Sequence, residues 1–425
     1  MRTFIFGAGA SIPFFSPRLD TSYLTKQVCC QSNWERVMEK YRHYKGQYAN
    51  IVSVDRVLQI IDTIRSIVSE PNFEQIAEII DKISSHGFDS NPRDNMLNLL
   101  IATLNTEFCP TNSHPFRADW KDVPFLFREI IAEAILDLQN NHKVACYQEL
   151  INRQREFISV ACNHDEEVSV MSLNYDDSIY DSLIGLGFEK GYRPTNPNYL
   201  MQLNIPEFMK AKRVVYFPHG HIKFQFVDNE NVTYHPDSNS ANQDRWKNID
   251  GMTVGSTMNV TSGKFAYNFN TFLSTGQTKD AGFNNPPYSV YYQRLAIDLY
   301  NSNTVYIIGY SFGDEHFNRL LRSFIENDSN NKVFVIDFHD GPIDLAKSGE
   351  HPDAPNDLIH RIHHCLNTVW RLSYSESLIL QPENPEEQDR INQTGFGQLF
   401  PQVYYYKNGY EAFLKEFQNI RELTS

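Results

Sequence analysis

The stretch Val168–Asp177, with the sequence VSVMSLNYDD, constrains the fold of this chain more than any other stretch. It begins as a short apolar run containing β-branched residues, which is typical of a buried strand, and it ends in residues that stop strands and start helices. We therefore predict a buried parallel strand that carries the amide of Asn174 and the carboxylate of Asp176 to the carboxyl edge of a sheet. Ligands bind at that edge in open α/β sheets.

Other short apolar runs have the same character, and most of them end in small or polar residues. The predicted strands are Thr3–Phe6, Arg213–Phe217, Thr304–Ile308 and Lys332–Phe338. With long helical patterns between them, they predict an α/β fold with a Rossmann-like parallel sheet, a large helical insertion and a C-terminal extension.

The chain divides by pattern into three parts. Apolar residues recur at helical spacing within residues 21–164, including the segments Leu97–Leu104 and Phe125–Leu138, and this range is the predicted helical insertion. Residues 1–20 and 165–345 form the predicted Rossmann-like core, and 346–425 the C-terminal extension, which ends in a predicted helix over Tyr410–Arg421. Asn, Ser, Thr, Gly and Asp dominate residues 226–287 and predict long loops or a lid-like insertion.

Composition limits the compartment and the partners. The net charge is −14, and Lys and Arg form no run, so direct binding to nucleic acid is not expected. The six cysteines form no C-x-x-C pair, and no secretory leader is recognised, which favours a reduced, cytoplasmic protein. No apolar run approaches the ~20 residues of a membrane helix.

A glycine-rich turn follows the first predicted strand directly. In Gly7-Ala8-Gly9-Ala10-Ser11, the glycines would let backbone amides approach a pyrophosphate. The third glycine of the G-x-G-x-x-G pattern would fall at Ile12, and no acidic residue follows a second strand ~20 residues later. A tight turn without a ligand is therefore the alternative.

Asn174 and Asp176 follow the strand of the opening stretch. An amide both donates and accepts hydrogen bonds at any physiological pH, so Asn174 could position a water or a ribose hydroxyl. A turn residue is the alternative for Asn174, and a helix N-cap is the alternative for Asp176.

A third motif, Phe217-Pro218-His219-Gly220-His221, ends another predicted strand. His219 could act as a general base near neutral pH. On an extended backbone His221 would share its face, so a metal pair competes with this interpretation. No third Cys, His or carboxylate lies at ligand spacing nearby, which argues against a metal site.

The fourth motif, Gly309-Tyr310-Ser311-Phe312-Gly313-Asp314, combines small residues with a hydroxyl. Ser311 could hold a phosphate or ribose oxygen. The letters also fit G-x-S-x-G, so a serine hydrolase using Ser311 and His219 is a real alternative. The usual order places Ser before His, and here His219 comes first.

Taken in order, GAGAS, SLNYD, PHG and GYSFGD resemble the motifs of the sirtuin-like NAD hydrolases of bacterial antiphage defence. The segment Asn72–Glu78 (NFEQIAE) is also similar to an early helical segment of that group. The resemblance implies an NAD glycohydrolase that releases nicotinamide and ADP-ribose, with Asn174 and His219 catalytic and Asp176 orienting the ribose. It further implies that the pyrophosphate faces Gly7, Ala8, Gly9, Ala10 and Ser11, and that the adenosine side faces Gly309 and Ser311.

Departures from the deacylase sirtuins narrow this expectation. Those enzymes hold a structural zinc on two C-x-x-C pairs, and this chain has none, so no zinc is expected. Leu173 stands where they have Gln, which puts protein deacylation in doubt. The resemblance implies regulation by assembly: a homo-oligomer and a HerA-type hexameric ATPase as partner. A catalytically silent sensor of NAD or ADP-ribose is the alternative.

Overall fold

The computed structural model describes most of the chain. The described residues are 1–46, 51–86, 122–162, 167–194, 201–226, 232–247, 255–258, 265–268, 273, 286–340, 358–366 and 385–420. The predicted helix Leu97–Leu104 lies outside them.

The described residues form thirteen strands and fourteen α-helices. The strands are β1 (Arg2–Phe6), β2 (Val168–Ser172), β3 (Tyr192–Pro194), β4 (Met201–Leu203), β5 (Arg213–Tyr216), β6 (Phe224–Phe226), β7 (Val232–Tyr234), β8 (Gly255–Met258), β9 (Phe265–Asn268), β10 (Thr304–Ile308), β11 (Lys332–Ile336), β12 (Phe396–Phe400) and β13 (Val403–Tyr406).

The helices are α1 (Thr21–Val28), α2 (Gln31–Lys45), α3 (Val54–Ile67), α4 (Phe73–His86), α5 (Val123–Asn141), α6 (Tyr147–Ala161), α7 (Ser178–Leu183), α8 (Ile205–Lys210), α9 (Ser238–Lys247), α10 (Tyr288–Asn301), α11 (Glu315–Asn327), α12 (Leu358–Leu366), α13 (Pro385–Thr394) and α14 (Tyr410–Glu416).

Within the described residues, seven strands form the central sheet in the order β12-β13-β11-β10-β1-β2-β5. All neighbouring pairs are parallel except β12 with β13. Numbered along the chain, the six parallel strands run 3-2-1-4-5-6, which is the doubly wound order of the Rossmann fold. The predicted fold class is confirmed. The strand order reverses between β1 and β10, and that point is where such folds bind ligands.

A ladder of aromatic rings crosses the sheet. Register pairs Phe4 with Tyr306, Tyr306 with Phe334 and Phe334 with Tyr404, and successive ring centroids lie 4.7, 5.2 and 4.9 Å apart. Phe157 of α6 packs edge-on against the first two rings. Helix α6, predicted as part of the insertion, therefore covers one face of the central sheet.

The end of the chain contributes more to the core than its sequence predicts. We expected 346–425 to be an extension, yet β13 pairs in parallel with β11 and is the sixth strand of the Rossmann order. The predicted terminal helix is present as α14 and is followed by a 3₁₀ turn, Phe417–Asn419. The domain boundaries stay a prediction, but the sheet itself extends into this range.

Buried ion pairs hold the helical segment together and join it to the rest of the chain. Arg128 of α5 donates to both carboxylate oxygens of Asp81 on α4 at 3.0 and 2.9 Å, and neither side chain is accessible to solvent. The neighbouring Glu129 pairs with Arg245 of α9 at 2.6 Å. The range 226–287, predicted as loops, therefore contains at least one helix that docks through charged and polar residues. None of the helices among the described residues is long and apolar enough to span a membrane.

Candidate functional site

A cavity of about 670 Å³ opens at the carboxyl edge of the sheet, where the strand order reverses. The segments that follow β1, β2, β10 and β11 all contribute to its wall, together with α1, α4 and α12. The structure thus brings together nine of the ten residues predicted for the site, namely Gly7, Ala8, Gly9, Ser11, Asn174, Asp176, His219, Gly309 and Ser311. Ala10, the tenth, is buried behind the turn.

The glycines of the first turn are required by close backbone packing. A Cβ on Gly7 would lie 2.5 Å from the carbonyl oxygen of Gly309, and one on Gly9 would lie 2.8 Å from the Cα of Gly309. Gly309 itself has φ +62°, and its Cβ would lie 2.2 Å from the nitrogen of Ala10. The turns after β1 and β10 therefore interlock, and this packing alone accounts for the three glycines.

Most amides of this turn already have acceptors within the protein. The N–H groups of Gly7, Gly9, Ala10 and Ser11 donate to backbone carbonyls at 2.8–3.2 Å. Ala8 is exposed to the cavity, and its amide has no such acceptor among the described residues. The predicted row of phosphate-binding amides is therefore reduced to the amide of Ala8.

Ser11 connects the first turn to the residues after β2. Its hydroxyl donates to Oδ2 of Asp176 at 2.6 Å and accepts from Nδ2 of Asn174 at 2.7 Å. Asp176 Oδ1 accepts from the backbone N–H of Ser178 at 2.8 Å and from the hydroxyl of Ser178. Asn174 is 5% exposed, so its amide is held in one orientation at the cavity wall.

Asp176 is fully buried, and its two oxygens accept only from protein groups among the described residues. Burial raises the pKa of its carboxyl above the ordinary value, while the hydrogen bonds from Ser11 and Ser178 act in the opposite direction. Such a group positions its neighbours. Its predicted contact with a ribose stays a prediction.

His219 lies on the same cavity wall and is 6% exposed. Its Nε2 lies 3.3 Å from Oδ2 of Asp314. The other oxygen of Asp314 accepts from the backbone amides of His316 and Phe317, so this carboxylate also caps α11. A carboxylate held this way fixes the orientation of the His219 ring.

His221 does not share the surroundings of His219. Its Nδ1 accepts from the backbone N–H of Lys223 at 3.2 Å, which leaves Nε2 to donate to the carbonyl oxygen of Asp176 at 3.2 Å. Burial lowers the pKa of His221 to about 3, although the charge of Asp177 opposes this shift. It is a neutral structural residue. No group of three or more metal-ligating side chains occurs among the described residues.

The turn after β10 differs from a nucleophile elbow. Its left-handed residues are Gly309 and Phe312, with φ of +62° and +55°, and Ser311 is not one of them. The ring of His219 faces Asp314 instead of the hydroxyl of Ser311. Both observations disfavour the hydrolase alternative, because the nucleophile of such an elbow sits at the strained position beside its base.

Six charged residues of the cavity wall were not predicted as site residues, namely Asp20, Glu74, Glu78, Asp314, Asp337 and Arg361. Arg361 of α12 donates to the carbonyl oxygen of Ser311 at 2.9 Å, and Glu74 and Glu78 come from α4. Burial raises the pKa of Asp337, which follows β11, to about 6, and a hydrogen bond from the next amide and the charge of Arg361 oppose this shift. Glu74 and Glu78 lie in the segment Asn72–Glu78, and Asp337 lies within the predicted strand Lys332–Phe338, whereas Arg361 carried no sequence signal.

Comparison with known proteins is consistent with this geometry. Residues 168–352 match the model of the SIR2-like domain, a range that includes Asn174, Asp176, His219, Gly309 and Ser311. The glycine turn and the helical segment lie outside the match. No curated protein matches the chain. The match supports a sirtuin-like protein with a function related to NAD.

Proposed function

We propose that this chain, sirtuin-like over residues 168–352, is an NAD glycohydrolase that cleaves NAD to nicotinamide and ADP-ribose. One observation carries the proposal: Asn174 and His219, which follow different strands, line one cavity beside the interlocked glycine turns. That cavity lies at the reversal of a doubly wound sheet, and its volume of about 670 Å³ is in the range of small-molecule sites.

The chemistry suits these side chains. Nicotinamide leaves from a glycosidic bond that is already cationic, so the site needs no strong acid. It must stabilise an oxocarbenium-like ribose and hold a water in line with it. The oriented amide of Asn174 would accept from that water or from a ribose hydroxyl. His219 would accept a proton from a ribose hydroxyl, and Asp314, 3.3 Å away, would hold its ring in place.

The remaining predicted residues take supporting roles. Asp176 and Ser11 hold the amide of Asn174 in place through the hydrogen bonds described above. The exposed turn at Ala8 would face the diphosphate, and Gly309 and Ser311 the adenosine half. By the resemblance of the motifs, we also propose that NAD depletion serves antiphage defence, in a homo-oligomer that works with a HerA-type ATPase.

Free nicotinamide is the readout that tests this proposal. The purified chain, alone and with the ATPase, is incubated with NAD, and the products are separated by chromatography. We expect Asn174→Ala and His219→Ala to abolish release while circular dichroism shows an intact fold. Undiminished release from both variants would overturn the mechanism. Saturable NAD binding without product under either condition would favour the silent sensor, and labelling of Ser311 by a fluorophosphonate would favour the hydrolase.

A further inference from the structure

Asn174 and His219 lie beyond the part of the sheet that could fix the distance between them. Strands β2 and β5 pair in parallel, and their last register pair comes three residues before each of these side chains. Both residues therefore belong to segments that have left the ladder, the first being residues 174–177 and the second residues 219–223. Because both side chains must serve one ribose, contacts between the two segments have to set their geometry.

Two hydrogen bonds to backbone carbonyls join the segments. The N–H of Ile222 donates to the carbonyl oxygen of Tyr175 at 3.1 Å, and Nε2 of His221 donates to that of Asp176 at 3.2 Å. The backbone N–H of Lys223 donates to Nδ1 of the same ring at 3.2 Å, which fixes the tautomer that makes the second bond. Both contacts are hydrogen bonds between neutral groups.

The side chain of Lys223 adds a charged contact between the segments. Its Nζ lies 2.7 Å from Oδ1 of Asp177, and each side chain is only 11% exposed. Burial acts to raise the pKa of Asp177, yet the interactions with His221 and Lys223 lower it below the ordinary value. The carboxylate is therefore ionised in the folded chain. A buried pair of this kind holds its partners firmly, because separating them leaves a charge without compensation.

A second ammonium group lies beside this pair without joining the segments. Nζ of Lys190 donates to the hydroxyl of Tyr234 and lies 3.5 Å from the centre of the Tyr180 ring. Burial and, next, the charge of Lys223 lower the pKa of Lys190 to about 7. In the part of the chain that the structure describes, the Lys190 side chain is neither hydrogen-bonded nor ion-paired to either segment. It therefore offers a matched comparison for Lys223.

We propose that Lys223 and Asp177 are positioning residues of the glycohydrolase, whose ion pair holds the segment of Asn174 against the segment of His219. This inference rests on the proposed function and adds the contact that sets its catalytic geometry. Neither Lys223 nor Asp177 is part of the cavity wall. Without the pair, NAD still binds, but the amide and the imidazole no longer keep one separation over the ribose, so the glycosidic bond breaks more slowly.

Three measurements on each variant test this role: kcat for nicotinamide release, calorimetric binding of ADP-ribose, and thermal unfolding. In Lys223→Met we expect kcat to fall by about tenfold to a hundredfold. The dissociation constant of ADP-ribose should change by less than about twofold, because the cavity wall is intact. Lys190→Met removes an ammonium group from the same neighbourhood and should leave kcat unchanged.

The double variant Asp177→Asn with Lys223→Met separates positioning from stability. Lys223→Met alone leaves a buried carboxylate without its cation, so its unfolding temperature should drop. The double variant also removes that charge and should unfold close to the wild-type temperature, while kcat stays as low as in Lys223→Met. If Lys223→Met does not fold, the double variant and Lys190→Met decide the question.

Three results would overturn the inference while nicotinamide release by the wild-type chain still supports the enzyme. The first is a double variant that regains kcat together with stability, which would limit the pair to a role in folding. The second is a loss of kcat in Lys190→Met equal to that in the other variants. The third is a loss of ADP-ribose affinity as large as the loss of kcat. If the wild-type chain, alone and with the ATPase, releases no nicotinamide, the proposed function fails, and this inference fails with it.

Discussion

Ser11 offers the sharpest test of how the site is assembled. Ser11→Ala removes a hydrogen bond to the buried carboxylate of Asp176 and one from the amide of Asn174, at 2.6 and 2.7 Å. A hydrogen bond to a charged group contributes about 1.5–3 kcal/mol and a neutral one about 1 kcal/mol. The free energy of unfolding should therefore fall by about 2.5–4 kcal/mol. Because Asn174 also loses its anchor, we expect nicotinamide release to fall by about tenfold to a hundredfold.

Ser178→Ala is the matched control for this variant. Ser178 also donates its hydroxyl to Asp176 but, in the part of the chain that the structure describes, is not hydrogen-bonded to Asn174. It should therefore lose about 1.5–3 kcal/mol of stability and keep most of its activity. Urea unfolding followed by circular dichroism gives the stabilities, and chromatography of nicotinamide gives the rates. Equal loss of activity in both variants, or unchanged stability in Ser11→Ala, would refute the reasoning.

Three further predictions test the fold and its charges. Gly309→Ala should destabilise the chain by more than the left-handed strain of about 1–2 kcal/mol, because the added Cβ meets backbone atoms. Gly187→Ala, where φ is +76° and the surrounding space is open, should cost only this strain. Urea unfolding measures both. Arg128→Met leaves the buried Asp81 without its partner and should cost about 3–5 kcal/mol in the same assay. The raised pKa of Asp337, about 6, means that the folded state keeps a proton that the unfolded chain has lost, so this group makes stability fall from about pH 4 to pH 6. Asp337→Asn should gain stability over wild type as pH rises through that window, and a difference independent of pH would contradict this.

Most strands of the core could be predicted from sequence, because each is a short apolar run bounded by residues that end strands. The predicted strand Thr304–Ile308 has the observed bounds, and the predicted strand Arg213–Phe217 exceeds the observed one by a single residue. The sixth strand, Val403–Tyr406, was missed because it is short and aromatic and follows a polar tail. Helix α9 was missed because it is polar all round, and it is held by the pair of Arg245 with Glu129, which no local pattern reveals.

The candidate site was predictable as far as strand ends could be recognised. Parallel strands bring their carboxyl ends to one edge, and this predicts that Asn174 and His219 lie close together. The partners of these residues were not predictable, because Ser11 and Asn174 are 163 positions apart and His219 and Asp314 are 95 apart. Arg361 and Glu74 come from helices whose docking depends on the whole fold.

A structure of the chain bound to carba-NAD, an NAD analogue that has no hydrolysable glycosidic bond, tests the central claim most directly. The account predicts that the nicotinamide ribose lies between the side chains of Asn174 and His219, with the diphosphate over the turn at Ala8. A dinucleotide bound in another cavity, or a ribose turned away from both side chains, would contradict it.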